Sequence, residues 1–265
     1  ADQDTARDLA AVLEALASGP AGDGVVGQDP LGRNQPATDV ARRLRFEVSD
    51  ALMDLKDAVE PGWLKRVDSG RLNVRRLAGG ACDPDALFDR YEPGHLDATE
   101  LELVLLLDVS GSMSSQVLAL GEATWAIRHA VDDLEGTATV ITWSTGPHRV
   151  LAEPGNRPDD RMFVPDDDGG TDPSSALAEA YRLLAGSTAR NRLVVILTDG
   201  QWHLGRHAQL IPALNHAGVT TVCATLGAWG GNDFHGCTHG RRIDAPADLA
   251  RLFRDVAAAG IGAWS

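Results

Sequence analysis

The chain has 265 residues, 43% hydrophobic and 23% charged, a balance that suits a globular protein with a sizeable core. Its formal net charge of -14 argues against nucleic acid and anionic membrane partners, which Lys and Arg would have to hold, and no apolar run approaches the ~20 residues that span a bilayer. Cys82, Cys223 and Cys237 are too scattered for a disulfide framework and point to a reducing, cytoplasmic setting.

The chain opens on Ala1-Asp2-Gln3-Asp4 without Met, so it reads as trimmed, processed or a fragment, and this opening carries no basic and apolar signal-peptide pattern. Leu9, Val12, Leu13 and Leu16 predict a short helix over 5–17. Gly19-Pro20-Ala21-Gly22-Asp23-Gly24 begins a linker that runs to about Pro36. Thr38 or Asp39 caps a second predicted helix, with Val40, Leu44, Val48, Leu52 and Leu55 on one stripe, closing at Val59 before Pro61-Gly62. Short helices are expected near 70–78 and 83–90. Residues 1–98 thus read as a mainly helical N-terminal extension.

From residue 99 strands and helices alternate. Strands are predicted near 101–108, 137–144, 148–152, 192–198 and 219–225, and helices near 116–133, 173–185, 206–216 and 246–258. Leu103 to Leu107 and Leu193 to Leu197 are continuous apolar runs, as strands covered on both faces should be. The expected fold class is α/β: a doubly wound, Rossmann-like, mostly parallel sheet over 99–265 with a helical extension before it.

Asp108-Val109-Ser110-Gly111-Ser112 follows the most hydrophobic strand directly and places one carboxylate and two hydroxyls on a tight turn. Hard oxygen donors in this arrangement suit Mg²⁺ or Mn²⁺, and the carboxyl edge of an open α/β sheet is where ligands bind. Gly169-Gly170-Thr171-Asp172 and Thr198-Asp199-Gly200 each stand at a strand or helix boundary that the same edge would gather. If the strands carrying Asp108 and Asp199 are neighbours, Asp108, Ser110, Ser112, Thr171 and Asp199 meet at one spot. Taken alone, the D-x-S-x-S could instead be a helix-capping turn.

On these residues the chain resembles a von Willebrand factor A (VWA) domain with a metal-ion-dependent adhesion site: Asp108-Val109-Ser110-Gly111-Ser112-Met113, then Thr171, then Thr198-Asp199-Gly200, over roughly 100–260. The resemblance implies that Ser110 and Ser112 bind Mg²⁺ (or Mn²⁺ or Ca²⁺) through their hydroxyls, Thr171 directly or through water, and Asp108 and Asp199 mostly through water. It further implies a sixth ligand, an Asp or Glu from a protein partner, and no catalysis. Met113, Asp172, Gln201 and Trp202 are the candidate partner-binding rim.

A second resemblance lies ahead of this domain. Trp63-Leu64-Lys65-Arg66, Gly70-Arg71-Leu72-Asn73-Val74-Arg75-Arg76-Leu77 and Phe88-Asp89-Arg90-Tyr91 resemble the lead-in of VWA proteins akin to the cobaltochelatase VWA subunit, found in actinobacteria and their phages. These commonly work with a MoxR-type AAA+ ATPase, which implies a non-ATPase adaptor. Gly169-Gly170-Thr171-Asp172 departs from the cobaltochelatase loop and speaks against tetrapyrrole chelation, which stays an alternative. The other alternative is an adhesion or assembly protein on a cell surface or in a phage virion.

Other chemistries find little support. Gly111-Ser112-Met113-Ser114 lacks the closing glycine of a hydrolase elbow. The only lysines, Lys56 and Lys65, stand in no P-loop, and no G-x-G-x-x-G follows the first strand. A metal hydrolase usually adds a general base or a second metal, and neither is apparent. His235-Gly236-Cys237-Thr238-His239 is a weak zinc candidate, with Cys223 or His203 as the only further ligands, and otherwise a polar loop within the Gly-rich stretch 227–240. Asp166-Asp167-Asp168 is read as a solvated loop that makes the metal face more negative, with Ca²⁺ binding the less common reading. Trp125 and Trp143 are read as core.

Overall fold

The computed structural model describes residues 32–53, 58–59, 62–67, 71–74, 77, 87–92, 95–96, 100–144, 148–202, 209–227 and 234–259. The expected helix over 5–17, the linker before residue 32, Cys82 and His203 lie outside the described residues.

The chain divides into two compact units, residues 56–98 and the remainder. The larger is built on a six-stranded sheet. In chain order its strands are β7 (Leu101–Asp108), β8 (Thr137–Trp143), β9 (Arg149–Ala152), β11 (Asn191–Thr198), β12 (Thr220–Leu226) and β13 (His239–Ile243). In space the order is β13-β12-β11-β7-β8-β9, all parallel except the β8–β9 pair. The chain goes from β7 to β8 on one side and returns to β11 on the other, so the order reverses between β7 and β11. In open α/β sheets that switch point is where ligands bind. The mostly parallel α/β sandwich read from the sequence is the fold observed, and each of the five strands expected there is present.

The apolar runs are continuous because the sheet is covered twice. Leu103, Leu105 and Leu107 of β7 face one core layer and Val104 and Leu106 the other. On the first face lie α1 (Asp39–Met53), α2 (Val117–Asp133) and α5 (Pro246–Ala259), and on the second α3 (Ser174–Ala185) and α4 (Leu210–His216). Trp143 is fully buried and Trp125 almost so, as expected of core residues.

The N-terminal region departs from its sequence reading. Helix α1 packs on α2 and α5 as part of the sheet unit. Its inward stripe is Ala41, Leu44, Val48, Ala51 and Leu52, while Val40 turns outward. Arg45 grips Asp133 of α2 with two hydrogen bonds, at 3.0 and 2.6 Å. The predicted helix to Val59 is too long, because Ala58–Val59 is strand β2, paired with β6 (His95–Leu96). Of the predicted helix near 70–78, Val74 and Leu77 are helical, with Leu77 N–H bonded to Asn73 O (3.2 Å), while Arg71–Leu72 is strand β4. The end of the predicted helix near 83–90 is instead strand β5 (Phe88–Glu92), which pairs with β4 and with β3 (Gly62–Val67). The end of the predicted linker is β1 (Gly32–Pro36), paired antiparallel with β10 (Arg161–Pro165). These short polar strands are set by partners far along the chain, so local periodicity does not announce them. Part of the expected 227–240 loop likewise belongs to β13.

Candidate metal centre

The three motif segments converge at the carboxyl edge, and the register explains why. Leu107 pairs with Leu197, so Asp108 stands beside Thr198 as both strands end. The β7 turn is then stitched to its surroundings by three backbone bonds. Val109 N–H donates to Trp143 O (3.1 Å), Asp168 N–H to Val109 O (2.6 Å) and Gly111 N–H to Gly169 O (2.9 Å). The last two bring the acidic loop and Thr171 against the D-x-S-x-S turn. Gly169 (φ 73°) and Gly200 (φ 82°) adopt left-handed backbone at the two bends, where a side chain would be strained.

Each motif carboxylate folds back on its own turn. Ser110 N–H donates to Asp108 Oδ1 (2.9 Å), Gln201 N–H to Asp199 Oδ1 (2.9 Å) and Ser174 N–H to Asp172 Oδ1 (3.0 Å). Asn and Asp stabilise turns in this way. Thr198 Oγ1 donates to Asp108 Oδ2 (2.6 Å) and accepts from Gly200 N–H (3.1 Å), tying the two strand ends together. Its tie to Asp108 is a role the sequence did not disclose.

Ser110 Oγ and Ser112 Oγ lie 3.0 Å apart. With Thr171 they line a cleft of about 670 Å³. Among the described residues, Gly169, Gly200, Gln201, Trp202 and His235 also line it. Asp108 and Asp199 sit almost wholly out of solvent behind these hydroxyls. Burial pushes the Asp108 carboxyl up to about 6, although the hydrogen bonds from Ser110 and Thr198 pull the other way, and the neighbouring Asp199 carboxylate reinforces the rise. A buried pair of like charges is costly unless an opposite charge compensates it.

The donor chemistry fits a small hard cation. Hydroxyl and carboxylate oxygens are the donors that Mg²⁺ and Ca²⁺ both take. Ser110 Oγ and Ser112 Oγ share a hydrogen bond at 3.0 Å, close enough for both hydroxyls to reach one cation. Among the described residues no group of three His, Cys, Asp or Glu side chains converges on a point, so His235, Cys237 and His239 form no zinc site there. Cys237 packs on the core layer under α3 and α4, and His239 opens β13.

The expected rim is redrawn. Gln201 is exposed and lines the cleft. Asp172 is exposed but turned to the start of α3. Trp202 is a wall and not an exposed rim: it is 1% exposed, with its ring 5.9 Å from Trp143 and 4.5 Å from His235. Met113 leaves the rim altogether, because the 3-10 turn Gly111–Ser115 carries it into the core layer of Leu107 and Leu120. His235, which joins the cleft, has no sequence signal as a cleft residue, since only the tertiary fold brings its loop there.

The raised Asp108 group gives a pH signature. Without metal the folded state holds the proton more tightly than the unfolded chain, so this group's stabilising share is full below 3.8 and is lost as pH rises to about 6. Cation binding requires the ionised form, so stabilisation by Mg²⁺ should fade as pH falls through about 6. Denaturation from pH 4 to 8 with and without Mg²⁺ checks both signs; a Mg²⁺ effect that is flat with pH would contradict the buried carboxylate's role.

Comparison with known proteins supports a von Willebrand factor type A domain in this part of the chain: the family model of that description matches residues 103–201, less than half of the length. No curated protein matches. Similar solved structures include a von Willebrand factor type A protein from Catenulispora acidiphila, 22% identical, covering 62% of this chain with a TM-score of 0.45. The match spans 43% of that protein's own length. BatB from Bacteroides thetaiotaomicron is 16% identical over 60% of this chain and 100% of its own, with a TM-score of 0.42. The mussel byssus proximal thread matrix protein 1, described with a zinc-occupied MIDAS motif, is 16% identical over 59% of this chain and 44% of its own, with a TM-score of 0.44. At these identities the likeness concerns the fold alone.

Proposed function

We propose that the von Willebrand factor type A domain of this chain is a divalent-metal-dependent protein-binding module. The carrying observation is the Ser110–Ser112 hydroxyl pair, 3.0 Å apart in a cleft shared with Thr171 and backed by two buried carboxylates. Ser110, Ser112 and Thr171 would hold Mg²⁺, with Asp108 and Asp199 fixing the turns behind them and supplying the compensating charge. A cation bound by neutral hydroxyls supplies an electron-poor position that a partner's Asp or Glu can fill. Asp166, Asp167 and Asp172 are exposed on the loop beside it, which favours an acidic anchor flanked by Arg or Lys.

Capture of acidic peptides on the immobilised chain should require Mg²⁺ and be lost both in EDTA and in Ser112→Ala. Capture that survives both would sink this reading. The finer role, a non-ATPase adaptor for a MoxR-type AAA+ ATPase, rests on the lead-in over 63–77 and 88–91. It predicts Mg²⁺-dependent co-purification with such an ATPase, and failure to bind any encoded by adjacent genes removes it.

A further inference from the structure

The cleft beside Ser110 and Ser112 is much larger than a hydrated cation. At ~30 Å³ per water, its volume of about 670 Å³ takes on the order of twenty waters, room for a partner's side chain and the backbone on either side of it. Among the described residues, two aromatic rings line it: Trp202 and His235. They meet edge to face, with centroids 4.5 Å apart and planes at 72°. Trp202 is buried against Trp143, so it is a fixed support. His235 is half-buried and sits at φ 50°, followed by Gly236 at φ 81°. A non-glycine residue in left-handed backbone is held there by its surroundings, and such strain concentrates at binding sites.

We propose that His235 is a partner-reading residue of this cleft. Seated on Trp202, it contacts the segment that carries the partner's acidic anchor and sets which acidic segment binds, without helping to hold the cation. This rests on the metal-dependent reading above and adds a residue from the β12–β13 connection to it. The occupant is a peptide segment with an Asp or Glu at the hydroxyls, Arg or Lys beside it facing Asp166 and Asp167, and a neighbouring residue against the His235 ring.

Random peptides with one fixed central Asp, selected on the full chain in Mg²⁺ and eluted with EDTA, provide the probe. They should be enriched in Arg and Lys next to the Asp. His235→Ala and His235→Asn should bind them about three- to tenfold more weakly, the range of one edge-to-face aromatic contact. Asn tolerates left-handed backbone, so its loss would trace to the ring and not to the loop. The Mg²⁺ midpoint of thermal stabilisation, measured without peptide, should stay at the wild-type value in both variants. Unchanged peptide affinity overturns the role of His235 and leaves metal-dependent binding standing. A parallel loss of the Mg²⁺ response would make His235 a prop of the turn and overturn it equally. Peptide binding that ignores EDTA in the wild type would overturn the metal-dependent reading, and this one with it.

Discussion

Asp108→Asn should fold at least as well as the wild type in EDTA and gain nothing from Mg²⁺. The two effects run in opposite directions because the carboxylate is a burden to the metal-free fold and a requirement for the cation. Asp108 is fully buried and its acid form is favoured up to about 6. Asn removes the buried charge. Its Oδ1 still accepts from Ser110 N–H, and its amide can donate to Thr198 Oγ1, which has lone pairs to spare. The wild type at a Mg²⁺ concentration a hundredfold above its Kd should gain about 2.7 kcal/mol, and the variant close to none of it. Urea denaturation with and without Mg²⁺ measures both. An equal Mg²⁺ gain in the two proteins would show that this carboxylate has no part in holding a cation.

Leu105→Ala should cost about 2–5 kcal/mol, the range for emptying a leucine-sized site in a packed core. Leu105 is fully buried in β7, flanked by Val195 and Val140 and covered by the layer of α1, α2 and α5. Domains are stable by only ~5–15 kcal/mol, so this one change consumes a large share, and Asp108 at the end of the same strand goes with it. Phe46→Ala, by contrast, should change stability by no more than about 0.5 kcal/mol, because Phe46 is 69% exposed on α1. Urea midpoints at constant slope test the pair. Equal shifts would contradict a central β7.

The Asp108–Ser112 turn was legible in the sequence because its chemistry is local. Asp108, Ser110 and Ser112 lie within five residues, and each Asp of the three motif segments bonds the N–H two residues on. The sheet was legible too, since strands buried on both faces are written as unbroken apolar runs. Met113 misled for a reason visible in the structure: it follows the motif directly, yet a 3-10 turn sends a side chain inward regardless of its neighbours' role. The polar strands Gly32–Pro36 and Arg71–Leu72 misled in the opposite sense, because their pairing partners, not their own residues, make them strands.

The sequence by itself determined the α/β class and the central strands, and it singled out Asp108, Ser110 and Ser112 on one turn, because apolar runs and a five-residue motif are local patterns. Tertiary structure alone decided that α1 packs on α2 and α5, that Thr198 ties Asp108 to the neighbouring strand, and that His235 meets Trp202 at the cleft. Those contacts join segments far apart along the chain, and no local pattern encodes which distant surface a side chain will meet.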